Sequence, residues 1–103
     1  MAEISSKLRM ADDGKGGRAL IYWCPGCDGA HSVPLDNRNA RGALWRWDGD
    51  PQAPTVSPSV HVDKGGEFEC HHFITDGSIQ FCTDSYHALA GQTVPMVDAW
   101  AAP

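Results

Sequence analysis

The chain has 103 residues, enough for one domain with a modest core, but few enough that metal or disulfide support would matter. Its formal charge of −5 argues against nucleic-acid binding through the overall field, which needs clustered Lys and Arg. No window is apolar enough to span a membrane and the start, MAEISSKLRMADDG, lacks the apolar core of a signal peptide, so the expectation is a cytoplasmic protein of the bacterial cytosol.

Eleven glycines and seven prolines imply many turns and predict a mainly β fold. Residues 1–17 are polar and glycine-punctuated, and read as a mobile arm or a first strand. Residues 18–95 read as one β-rich domain and residues 96–103 as a tail lying along it through Met96, Val97 and Trp100. Arg18 to Trp23 is β-branched and aromatic with no helix cap, which predicts a strand running into Cys24. The following CPGC is a tight, zinc-knuckle-like turn, and Ala30 to Leu35 is its returning strand.

Asp36 to Gly42 is a polar loop. After it, Trp45 and Trp47 fall on one face of a strand, as core or as an aromatic platform. Pro54 and Pro58 exclude a helix or a central strand and predict an extended edge segment. Together with the two tryptophans they form a candidate contact surface.

The stretch CHHFITDGSIQF, residues 70–81, predicts a central hairpin, because Asp76-Gly77 suits a turn with φ > 0 at both central residues. On that register Cys70, His72, Ile74, Ile79 and Phe81 share one face, and His71, Phe73, Gln80 and Cys82 the other. Thr83 or Asp84 can cap a short helix over residues 85–90, with Gly91 as its stop.

Four cysteines without an export signal favour reduced thiols, and so metal ligation over disulfides. Two thiolates spaced as Cys24 and Cys27 can fill adjacent corners of a tetrahedral zinc. The redox form of the same spacing belongs at a helix N-terminus in a βαβ setting, which is missing here. Cys70 and His87 complete the expected ligand set, with His71, His31, Cys82, His72 and Asp84 as alternatives or supporting groups. A filled Cys/His site is structural, whereas catalysis needs an open position for water. No zinc-protease helix motif, phosphate loop or nucleophile elbow is present.

The blocks Tyr22 to His31, Trp45 to Ser59 and Cys70 to Phe81, followed by Asp84 and HALAGQTV at residues 87–94, resemble a family of short uncharacterised proteins encoded by bacteriophages and prophages, often labelled ammonia monooxygenase. The resemblance spans roughly residues 22–95 and implies a polar signature of Cys24, Cys27, His31, Cys70, His71, Asp84 and His87. The chain departs from that pattern at Ser85, where relatives have Cys, at Cys82, where they have an apolar residue, and at His72, where they have a small polar one. The expectation is a zinc-stabilised accessory protein that binds a protein partner in host or defence functions and performs no chemistry of its own. The alternatives are a small zinc-dependent hydrolase, with Asp84, His71 or Glu69 as acid or base, and a nucleic-acid binder using Arg38, Arg41 and Arg46.

Overall fold

The computed structural model describes residues 2–101 and is all-β among them, with two antiparallel sheets. The first sheet runs in chain order: β1 (Ala2–Glu3), β2 (Leu8–Asp12), β3 (Arg18–Cys24) and β4 (Gly29–Pro34). The second holds β5 (Arg46–Trp47), β6 (Val56–Val62), β7 (Cys70–Thr75), β8 (Ser78–Phe81) and β9 (Thr93–Pro95), again in chain order. Residues 35–45 carry the chain from the first sheet to the second. The turn between β2 and β3 is held by Asp12 and Asp13, whose carboxylates accept the Gly14, Lys15 and Gly17 N–H groups.

Alternation decides which side chains point inward. Leu20, Tyr22 and Cys24 from β3 and Leu8 and Val33 from its neighbours meet Val56, Val60, Cys70, Ile74, Ile79 and Phe81 of the second sheet, with Met96 just after it, in one core. The Tyr22 hydroxyl crosses between the sheets to His72 Nε2 at 2.6 Å. Burying these apolar groups contributes roughly 25 cal/mol per Å² removed from water. Beyond β9, Met96 is buried, and Trp100 is tied back by its N–H to the Ser6 carbonyl and by Arg9 lying 5.0 Å over its ring.

The hairpin register matches the sequence reading: His72 faces Phe81, Ile74 faces Ile79 and Thr75 faces Ser78. Asp76 and Gly77 both have positive φ, 49° and 78°. Two expectations fail. Residues 85–90 form turns, and no helix occurs among the described residues. Their N–H groups are spent elsewhere: Ser85 donates to the Cys82 carbonyl, Tyr86 across the fold to Glu69 at 2.8 Å, and Ala90 to His87. Those bonds leave no i to i−4 ladder for a helix to build on.

The proline segment is also not a simple edge. Pro58 lies within β6, between β5 and β7. It is tolerated because β5 covers only Val56 and Ser57, and because the ladder to β7 is irregular at this point. Val56 pairs with Ile74 and Val60 with His72, so β6 advances four residues while β7 advances two. The excess pushes Ser57 and Pro58 into solvent while both valines stay buried. Pro54 is fully buried, so it presents no contact surface.

Candidate functional site

Two clusters of reactive side chains lie on opposite faces of β7. On the inward face, Cys24 at the end of β3, Cys27 in the turn that follows, Cys70 at the start of β7 and His87 bring one ligand atom each within 4.8 Å of the others. Cys24 Sγ is 3.9 Å from Cys70 Sγ, and Cys70 Sγ is 3.4 Å from His87 Nε2. Tetrahedral zinc, with sulfur at about 2.3 Å and nitrogen at about 2.0–2.1 Å, has edges of about 3.8 and 3.5 Å, so the cluster has the dimensions of such a site.

The local chain is shaped for this cluster. Cys27 N–H points to Cys24 Sγ at 3.4 Å. At Gly26 a Cβ would come within 2.2–2.4 Å of the His87 ring, so only glycine lets the imidazole approach. Leu89 N–H lies 3.3 Å from His87 Nδ1, and ligation through Nε2 requires that contact to loosen as Nδ1 takes the proton. His72, fully buried, bridges Tyr22 and Cys70; its Nδ1 is 3.3 Å from the Cys70 sulfur. Burial pushes His72 down to about 4, so the ring is neutral, accepting from Tyr22 O–H and donating Nδ1–H to the sulfur.

The Cys24–Cys70 pair gives up one proton readily and holds the second. The hydrogen bond from Cys70, helped by His31, pulls Cys24 down to about 3, and the same bond together with burial raises Cys70. A cation bound among three sulfurs would remove that second proton. Three cysteines and a histidine therefore lie close enough to hold a metal ion, and their chemistry suits zinc. His31, whose buried Nε2 has no hydrogen-bond partner, packs beside His72 at 5.6 Å without joining the four.

On the outward face the donors are different. Ser59, carried outward by the irregular stretch of β6, places Oγ 3.2 Å from His71 Nε2, and His71 Nδ1 lies 3.2 Å from Asp84 Oδ2. Ser85, buried beneath, clamps the backbone of His71 by accepting its N–H at 3.1 Å and donating to its carbonyl at 3.0 Å. Trp45 Nε1 donates to the Ser59 carbonyl at 3.3 Å, and an open groove lined by Leu44, Trp45, Arg46, Ser57 and Pro58 adjoins this segment. His61, directly opposite His71, stacks on its ring at 4.1 Å and 6° and is hydrogen-bonded to Glu69.

The structure brings Cys24, Cys27, Cys70 and His87 together and leaves the alternatives outside that cluster. His71 and Asp84 belong to the outward array, Cys82 lies near Asp84 with its thiol pushed up by burial, and His72 and His31 pack alongside. Trp45 and Trp47 are half-buried against the core, and Pro58 is exposed. Sequence reasoning missed Ser59 and His61. The signal for both was their place two residues apart in β6, His61 paired with His71 and Ser59 in the irregular stretch beside it, but the prolines concealed that this segment is a strand pairing with β7.

The fold and site define a small two-sheet β domain in which one strand separates a largely buried sulfur-rich cluster from a more open Ser–His–Asp array. The chain belongs to the family described as bacterial ubiquitination-like system serine protease (BubE), whose model matches residues 2–82. That range includes Ser59 and His71 and stops just short of Asp84 and His87. The matched family is bacterial, where the sequence motifs had suggested phage-encoded proteins. No curated protein and no solved structure matches the chain. Among the described residues no helix is long and apolar enough to cross a membrane.

Proposed function

We propose that this protein is a small serine hydrolase that cleaves amide bonds, with Ser59 as nucleophile, His71 as general base and then acid, and Asp84 as the group that orients His71. The observation that carries the reading is the continuous line from Ser59 Oγ through both nitrogens of His71 to Asp84, with both steps 3.2 Å. This is the arrangement that recurs on unrelated folds for acyl transfer, recognised by geometry rather than by sequence order. The family description supports it, and points to a ubiquitin-like protein or its conjugates as the substrate class. The macromolecular partner expected from the sequence is, on this reading, the substrate.

Each step follows from the ring's two nitrogens. Asp84 holds the proton on Nδ1, leaving Nε2 free to accept the Ser59 proton as Oγ attacks the scissile carbonyl. The imidazolium formed is stabilised by Asp84 and gives its proton to the leaving amine, producing an acyl-serine. His71 then takes a proton from water as it attacks the ester, and returns that proton to Ser59 Oγ as the acid product leaves. Ser85 contributes by fixing the backbone of His71, and Trp45 by fixing the Ser59 carbonyl. Cys24, Cys27, Cys70 and His87 would hold a zinc ion, which when bound would cross-link the β3–β4 turn, β7 and the chain after β8 into one unit.

Reaction with a fluorophosphonate probe tests the reading. The native chain should be labelled on Ser59, while Ser59→Ala should lose labelling and roughly 10⁴-fold or more in turnover with its melting unchanged. Labelling elsewhere, or activity surviving in Ser59→Ala, would remove the serine mechanism. A second reading, a hydrolase with a catalytic ion on His61, His71 and Asp84, is favoured by the closeness of those three groups. It predicts that activity survives loss of Ser59 and follows metal loading.

A further inference from the structure

His71 can serve acyl transfer in one ring orientation, with Nδ1 on Asp84 and Nε2 on Ser59. Both contacts are 3.2 Å, at the long end of hydrogen-bond distances, and the Asp84 side chain is 46% exposed, so water competes for its carboxylate. The last torsion of a histidine side chain is broad, and these two bonds alone leave the ring free to tilt. A third contact fixes its plane. His61, directly opposite on β6, lies face to face with it, with ring centroids 4.1 Å apart and planes within 6°. Phe73, two residues further along β7, stands 6.1 Å away at a tilt of 33° and gives the plane no comparable support. His61 is itself held at both ends. Its backbone sits in the β6–β7 ladder, its Nε2–H donates to Glu69, and the Glu69 carbonyl accepts the Tyr86 N–H at 2.8 Å. What His61 turns toward His71 is therefore a tethered ring face, with its Nε2 spent on Glu69.

We propose that His61, tethered by Glu69, is a positioning residue for the general base: its ring face fixes the plane in which His71 meets Ser59 and Asp84 together. The inference rests on the Ser59–His71–Asp84 reading and adds to it the part that holds the base. The two kinds of contact divide the task. The stack sets the plane but is indifferent to a half-turn of the ring, which exchanges Nδ1 with Cδ2 and Nε2 with Cε1. The bonds to Asp84 and Ser59 choose between those orientations, since the turned ring presents carbon to both. Without the stack the ring leaves the plane and Nε2 drifts from Oγ, and a misplacement of about 1 Å can cost about a hundredfold in rate. His61 takes no proton and acts through His71 alone.

Two substitutions in the whole chain test this. His61→Phe keeps a flat ring and loses both nitrogens, whereas His61→Leu keeps apolar bulk and loses the flat face. Ser59 labelling by a fluorophosphonate is followed as a rate against probe concentration, the His71 ring nitrogens are observed by NMR, and melting checks that each variant is folded. His61→Leu should lower the limiting labelling rate roughly tenfold to a hundredfold with the half-saturating probe concentration unchanged, and should replace the single Nδ1–H signature of His71 with averaged nitrogen shifts. His61→Phe should stay within about threefold of the native rate and keep that signature. If His61→Leu does not fold, Glu69→Ala, which releases the tether of the ring, takes its place with the same direction expected in rate and in nitrogen shifts. A native rate in His61→Leu, or a His61→Phe variant as slow as His61→Leu, overturns the proposal and leaves the serine reading standing. If the native chain is not labelled on Ser59, both fall.

Discussion

Cys70 and His72 point into the core from β7 and are fully buried, whereas His71, between them, keeps about a quarter of its side chain exposed and Phe73 beyond it keeps 44%. The two faces hold overlapping kinds of donor in opposite surroundings. Inward, three sulfurs and an imidazole close on one another, Cys24 and Cys70 fully buried and Cys27 and His87 partly so, with Tyr22 and His72 behind them. Outward, an imidazole stands between a hydroxyl and a carboxylate where a carbonyl group can approach. Burial, more than residue type, separates a group that can fasten the fold from one that can react.

If that division is right, the faces should fail separately, and the inward one should fail harder. Chelation, or Cys70→Ser, is expected to abolish metal binding and cooperative unfolding together, because structural zinc contributes on the order of 10 kcal/mol in small domains. Melting by circular dichroism with and without chelator reads this, and an unchanged transition would erase the distinction. Ser59→Ala is the opposite case, silent in melting and severe in labelling.

Gly26→Ala should fall between these extremes. Its new methyl group occupies the space of the His87 ring, so the ion should survive on three sulfurs with affinity lower by roughly tenfold to a hundredfold, measured by competition with a chromophoric chelator. A drop in labelling without any loss of metal affinity would show that the faces are coupled through the backbone instead.

The smallest expected effect lies far from both faces. The hydrogen bond from Asn37, followed by the Gly17 N–H, holds the Asp13 carboxyl below its usual range. The unfolded chain therefore takes up this proton more readily, so the stabilisation is complete above the ordinary carboxylate pKa and is lost as pH falls through the lower folded-state value. Asp13→Asn should flatten that acid limb slightly in melting curves while leaving metal content and labelling as they are.

Much of this was readable in advance, and the reasons are local. Asp76-Gly77 specified the hairpin turn, and strict alternation then assigned Cys70 and His71 to opposite faces. The CPGC turn between two strands likewise needed only neighbouring residues. What escaped was non-local. Ser59 meets His71 only because β6 gains two residues on β7, and nothing within PTVSPS announces that pairing. The misplaced helix has the same origin: HALA is good helical sequence, but Tyr86 N–H is drawn away to Glu69, seventeen residues back. His61 was overlooked because its partner lies across that same pairing.

The alternation of β7 has a further consequence. Sliding this strand by one position would turn His71 toward the thiols and swing Cys70 out beside the hydroxyl, exchanging fastening and reactive groups in a single error. An ion bound to Cys70 would forbid that slip. On the serine-hydrolase reading its contribution would be that of an index pin, fixing the threading of the strand and so which imidazole faces Ser59.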